Sequence, residues 1–152
     1  MTRIAGELEY DGYQTWDGEP VSREPPHGAA VVVFRRVGPE PEFLLLHRGH
    51  EGPDYEGDWA WGPPSGARYP GEPIDVCAVR ELLEETGLGL PIRRVELDSP
   101  DWFVYIAEAG PDAEVLLSPE HDRFIWGAVD ELARCVAPEE VCRQCIAAAR
   151  FV

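Results

Sequence analysis

The sequence predicts a mixed α+β fold, with strands first, a helix in the middle, more strands, and helix at the end. Three observations carry this. Apolar runs of strand length flank a turn-rich stretch in the first third of the chain. One run with helical spacing lies near the centre, bounded by Pro73 and Gly87. Two helical stretches close the chain after further short strand-like runs. Strands and helices do not alternate as repeating βαβ units, so a layered α+β sandwich is expected.

The 152 residues fit one domain, and 44% hydrophobic content supplies an ordinary core. Residues 1–27 are acidic and broken by Gly and Pro, which predicts a short hairpin or a loose N-terminal arm. Residues 29–34, Ala-Ala-Val-Val-Val-Phe, read as a buried strand. Arg35, Arg36 and residues 38–41 mark a turn, and residues 42–47 read as the partner strand. A Gly-, Pro- and acid-rich loop spans residues 49–57; loops of this kind often carry function. Pro73 suits the first helical turn and Gly87 the C-terminal cap. Short strands are expected at 95–97, 102–107, 114–117 and 124–127, and helices at 130–135 and 138–151.

A net charge of −16 argues against a nucleic-acid or anionic-membrane partner, because both need basic patches. No apolar run reaches the length of a membrane span. Met1 to Tyr10 lack an apolar signal core, so a cytoplasmic location is expected. All 13 basic residues are Arg, so any basic contact to phosphate is a guanidinium fork. Cys142 and Cys145 form a C-x-x-C near the end of the chain. No second pair of matching spacing accompanies it, and helix packing is the favoured role.

The chemistry concentrates in residues 66–88. Gly66 is followed after five residues by Glu72, and after seven more by Arg80-Glu81-Leu82-Leu83-Glu84-Glu85-Thr86-Gly87-Leu88. At 100° per residue, Glu81, Glu84 and Glu85 fall within an arc of about 100°. Val76, Val79, Leu82 and Leu83 gather on the other side. The expectation is a helix that packs one face on a sheet and presents three carboxylates to a cleft with the other. Like charges at i,i+4 spacing repel, and a hard cation relieves this. The cluster therefore reads as a site for Mg²⁺ or Mn²⁺, and a lone acidic helix face would not carry the flanking Gly, Glu and Arg at fixed spacing.

This segment resembles the Nudix box, G-x5-E-x7-R-E-U-x-E-E-x-G-U with U a bulky aliphatic, at every specified position. More loosely the resemblance covers residues 28–135. It implies an α/β/α sandwich around a central mixed sheet, with the box as loop–helix–loop. It also implies hydrolysis of a nucleoside diphosphate linked to another moiety, by water attack on phosphorus with divalent metal. Carried over, Glu81, Glu84 and Glu85 are metal ligands, joined by the Gly66 carbonyl. Arg80 orients the glutamates with Glu72 as its salt-bridge acceptor, and Glu84, Glu85, Arg80 and Glu120 form the catalytic set.

The surroundings of the box bear on the substrate. Residues 42–47, 59–66 and 120–126 are similar to enzymes that split dinucleoside polyphosphates asymmetrically, and to nucleoside triphosphate pyrophosphohydrolases. In the former an acid at the position of Glu120 binds metal or activates water. That subgroup usually carries Lys before the first box glycine, where this chain has Ser65. Arg48 or Arg68 is the expected substitute for phosphate contact, and Tyr55, in the acidic loop, the expected aromatic contact to a base. The expected partner is a small nucleotide: a dinucleoside polyphosphate first, ADP-ribose, NADH or a nucleoside triphosphate as alternatives. A homodimer is compatible with this pattern. A non-catalytic nucleotide sensor is the alternative of another class; the intact glutamates and Arg80 favour the enzyme. An isoprenoid diphosphate isomerase is disfavoured by the lack of a suitably placed cysteine pair.

Overall fold

A computed structural model describes residues 14, 15 and 17–152 of the chain. The arm or hairpin expected over 1–27 lies partly outside the described residues; within them, Gln14 and Pro20 form an antiparallel bridge.

Seven strands form one mixed sheet: β1 (Gly28–Arg35), β2 (Glu42–Arg48), β3 (Trp61–Gly62), β4 (Ser65–Ala67), β5 (Arg93–Val95), β6 (Trp102–Glu108) and β7 (His121–Gly127). Among the described residues three helices flank it: α1 (Ile74–Thr86), α2 (Val129–Cys135) and α3 (Glu139–Ala149). β1 is central. It pairs in parallel with β6 along its length, from Gly28 opposite Trp102 to Phe34 opposite Glu108. On its other edge β1 meets β2 only at Phe34 and Arg35. Nearer its start it meets β4, with Ala29 opposite Gly66 and Ala30 opposite Ser65. β2 in turn pairs with β3 at Leu46 and His47, and with β7 along its outer edge. The sheet therefore forks between β1 and β2, and the segment running from β3 to β4 occupies the fork.

Strand residues alternate between two cores, as the two-residue period of a strand requires. Val32, Phe34, Phe43, Leu45, Val104 and Ile106 pack toward α2 and α3. Ala29, Val31, Val33, Leu44, Leu46 and Tyr105 pack toward α1. This is the expected α+β sandwich, with α1 on one face and the C-terminal helices on the other.

The expected strand at 114–117 is absent. Val115 and Leu117 are half-buried against the α1 core, but the backbone N–H of Leu116 donates to the Thr86 carbonyl at 2.8 Å. The segment is tied to a helix end instead of a strand. The expected strand at 95–97 begins earlier, at Arg93, and the one at 124–127 begins at His121. Tail helices fall where expected. The four cysteines are free; Cys142 Sγ lies against the Leu132 carbonyl, and burial pushes the Cys145 thiol up to about 12. Among the described residues no helix is long and apolar enough to cross a membrane.

Candidate active site

α1 starts after Pro73 and stops at Gly87, whose φ of 74° is the left-handed conformation that glycine adopts without a Cβ clash. Its orientation differs from the sequence expectation. The buried residues are Cys77, Ala78, Glu81, Leu82, Glu85 and Thr86, while Val76, Val79 and Leu83 are exposed. Glu81 and Glu85 are 8% and 5% exposed, so the carboxylates lie on the packed face. Glu84 remains half-exposed beside them. The apolar residues at 76, 79 and 83 misled the wheel because large side chains do not decide this interface. Small Cys77 and Ala78 let the helix sit close to the sheet, Leu82 fills the core, and the Tyr105 hydroxyl donates to Asp75 at the first turn.

Polar contacts fix the helix further. Arg80 grips Glu72 with two bonds of 2.8 Å, from Nε and Nη2. The same guanidinium donates to the Ala67 carbonyl at 3.0 Å, to Glu81 at 2.7 Å and to Glu84 at 3.4 Å, and stacks on the Tyr69 ring. The Arg80 hydrogen bond holds the Glu72 carboxyl below the usual range. Such planar forks position as well as attract. Gly66 has a separate reason. A Cβ there would lie 2.0 Å from the Glu81 carboxyl carbon, so only glycine lets the β4 backbone approach that carboxylate. One residue earlier, the Ser65 N–H donates to Glu85 at 3.0 Å.

Glu120 arrives from the turn before β7. Among the described residues, ligand atoms of Glu85, Glu120 and His121 lie within 4.8 Å of one another. In the sequence His121 is marked out only by its place next to Glu120; the structure brings its ring to the carboxylates. Burial depresses the His121 ring to about 4, so it is neutral at pH 7. Its Nδ1 is buried without a hydrogen-bond partner among the described residues. Burial raises Glu81 to about 7, and raises Glu85 and Glu120 as well. Buried, mutually repelling carboxylates beside an unpartnered imidazole nitrogen are the environment that a divalent cation neutralises, so the donor set fits one.

Two cavities open on this cluster. A cleft of about 900 Å³ is lined by Glu81, Glu84, Glu85, Glu120, Gly66 and Arg48, with Asp17 and Glu19 of the N-terminal segment on its rim. A smaller cavity of about 210 Å³ lies in the fork of the sheet, between Ala30 of β1, Leu46 of β2 and α3. Trp59, Trp102, Arg48, Ser65 and Glu85 line both. Trp59 is 54% exposed and has φ 69°, a left-handed conformation costing about 1–3 kcal/mol for a non-glycine residue. Its N–H donates to the Ala137 carbonyl at 2.7 Å, which ties it to the loop before α3.

The expected phosphate and base contacts separate accordingly. Arg48 stands at the carboxylate cluster. Arg68 instead donates to the carbonyls of Pro26, Glu72 and Glu24, and lines neither cavity. Tyr55 also lines neither. Its hydroxyl donates to the Asp58 carbonyl at 2.9 Å and its ring packs on the core below α2 and α3. His47, fully buried, bridges the Asp122 carboxylate at 2.7 Å and the Tyr55 carbonyl at 2.8 Å, pinning the acidic loop to β7.

Comparison with known proteins agrees with the geometry. The family model for the NUDIX domain matches residues 25–144. The chain is 32% identical over 130 residues to a bis(5'-nucleosyl)-tetraphosphatase (asymmetrical) of Rattus norvegicus, covering 73% of this chain and 84% of that protein. It is also 32% identical over 126 residues to an octanoyltransferase of Myxococcus xanthus, covering 73% of this chain but only 33% of that longer protein. The fold matches the crystal structure of a C. elegans Ap4A hydrolase binary complex with TM-score 0.66 and 25% identity, over 82% of this chain and 96% of that one.

Proposed function

The chain belongs to the Nudix family, and from that premise we propose that it is a divalent-metal-dependent hydrolase of a phosphoanhydride in a nucleoside diphosphate-linked substrate, a dinucleoside polyphosphate foremost. The observation that supports this best is the sharing of Glu85, Arg48, Trp59 and Trp102 between an acidic cleft and an aromatic cavity. A nucleoside polyphosphate has the same two ends. The similarity to the rat tetraphosphatase points to the dinucleoside class.

Glu81, Glu84, Glu85 and the Gly66 carbonyl would be the oxygen donors for Mg²⁺ or Mn²⁺, with Glu120 and His121 beside them. When bound, the cation screens phosphate charge and polarises phosphorus toward attack. Arg80 acts through its neighbours: it holds Glu81 and Glu84 in place and anchors the helix to Glu72. Arg48 meets the phosphate chain. Glu120, its carboxyl raised by burial and by Asp17, takes a proton from water as the new oxygen–phosphorus bond forms and the anhydride bond breaks. The leaving phosphate carries away the electron pair.

A substrate panel tests the proposal. With Mg²⁺, diadenosine tetraphosphate is expected to give ATP and AMP faster than ADP-ribose, NADH or deoxynucleoside triphosphates give products. Turnover of none of them sinks the hydrolase and leaves a nucleotide sensor. Turnover of another class first moves the substrate while keeping the chemistry.

A further inference from the structure

The cavity in the sheet fork ends on α3, and Gln144 of that helix is among the side chains that line it. Its amide has a determined orientation. The Ser99 hydroxyl donates its single proton to the Trp102 carbonyl. Ser99 Oγ must then accept at its other contact, which is Gln144 Nε2 at 3.0 Å. The amide nitrogen therefore faces Ser99, and among the described residues no donor engages the amide carbonyl. Glu140, on the same wall, adds carboxylate acceptors. The α3 wall of the cavity thus asks for a donor, apart from the polar side chains of Arg48, Ser65, Glu85 and His121 that also line it.

Size narrows the ligand. A volume of about 210 Å³ is below the roughly 300–1,000 Å³ of a complete small-molecule site. It suits one planar group whose remainder continues past Trp59 and Trp102 to the carboxylates, since both indoles line both cavities. Resting on the nucleotide substrate proposed above, we propose that this cavity seats the base and that Gln144 selects a 6-aminopurine over its 6-oxo counterpart. An exocyclic amine donates to the Gln144 carbonyl. A 6-oxo group in the same place would set acceptor against acceptor.

The test is a binding measurement that needs no turnover: titration with AMP and with IMP in Mg²⁺, followed by tryptophan fluorescence. The native protein is expected to bind AMP about tenfold more tightly than IMP, the worth of about one hydrogen bond. Gln144→Met, of similar length without the carbonyl, brings the two within about twofold. Ser99→Ala frees the amide to turn over and shrinks the preference while leaving the Gln144 side chain in place. Trp102→Leu weakens both ligands by roughly tenfold or more. Equal affinities in the native protein, or a preference that survives both Gln144→Met and Ser99→Ala, overturn the role of Gln144. Normal binding by Trp102→Leu overturns the seat. An inert protein that still prefers AMP refutes the hydrolase and keeps this inference; an active hydrolase indifferent to AMP and IMP does the reverse.

Discussion

Helices α1 and α3 flank opposite faces of one sheet, and only α3 follows the ordinary rule of an amphipathic helix. α3 turns Cys145 and Ala148 inward and leaves Glu139, Glu140 and Arg143 in solvent. α1 does the opposite. It buries Glu81 and Glu85 and exposes Val76, Val79 and Leu83. Burying carboxylates without full pairing is costly, and exposing valines and a leucine forgoes burial. Both departures occur in one helix, whose Glu81, Glu84 and Glu85 line the cleft. Local rules fail here because the helix is held for its chemistry, by Arg80, Glu72 and the close approach at Gly66.

The largest expected effect breaks the comparison on the α1 side. Glu85→Gln removes a donor at the centre of the cluster and is expected to lower the hydrolysis rate by about 10²–10⁴, with no loss of thermal stability at pH 8 in metal-free buffer. A rate within tenfold of native would detach the cluster from the chemistry. Next, Arg80→Met strips a mostly buried guanidinium from Glu72 and Glu81, a loss of about 3–5 kcal/mol. Thermal melting should then fall by on the order of 10 °C. An unchanged melting temperature would mean that the helix is seated by apolar contacts alone.

A paired substitution sharpens the inversion. Leu82→Ala should cost about 2–5 kcal/mol in denaturant unfolding. Leu83→Ala, one position along on the exposed side, should stay within about 0.5 kcal/mol. Similar losses at both positions would contradict the orientation of α1.

A smaller effect concerns pH. Glu81 is raised from its ordinary 4.5 to about 7, and Glu85 moves the same way. The folded state thus prefers these groups protonated. Their contribution is fully present below about 4.5 and is lost as pH rises through about 7. Metal-free protein should melt a few degrees lower at pH 8 than at pH 5. Glu81→Gln should flatten that slope, and Mg²⁺ should raise the melting temperature more at pH 8 than at pH 5.

Much of this was legible in the sequence for specific reasons. Residues 29–34 and 42–47 announced β1 and β2 because buried strands are continuous apolar runs. Gly66, Glu72, Arg80, Glu81, Glu84 and Glu85 announced the site because their spacing has one use. What stayed hidden depends on partners far away in the chain. The rotation of α1 is decided by Gly66 and Tyr105, which no helical wheel contains. Tyr55 pointed to a ligand from its acidic loop, yet the buried His47 draws that loop toward β7 and turns the ring to the core. Arg68 resembled a phosphate contact until three carbonyls claimed its guanidinium. Trp59 and Trp102 were two among many aromatics, and only the forked sheet sets both on the same cavity.

The parallel pairing of β1 with β6 bears on how the molecule reaches this state. Ala30 of β1 lies between Ser65 on one edge and Val104 on the other, and α1 is held in the chain between those two partners. Contacts this distant in sequence close late and slowly. Until the sheet closes, Glu120 stays apart from Glu81 and Glu85, which share one helix. During refolding, helical signal should therefore recover before the proposed Mn²⁺ binding, which would appear together with the closed sheet as the last property the chain acquires.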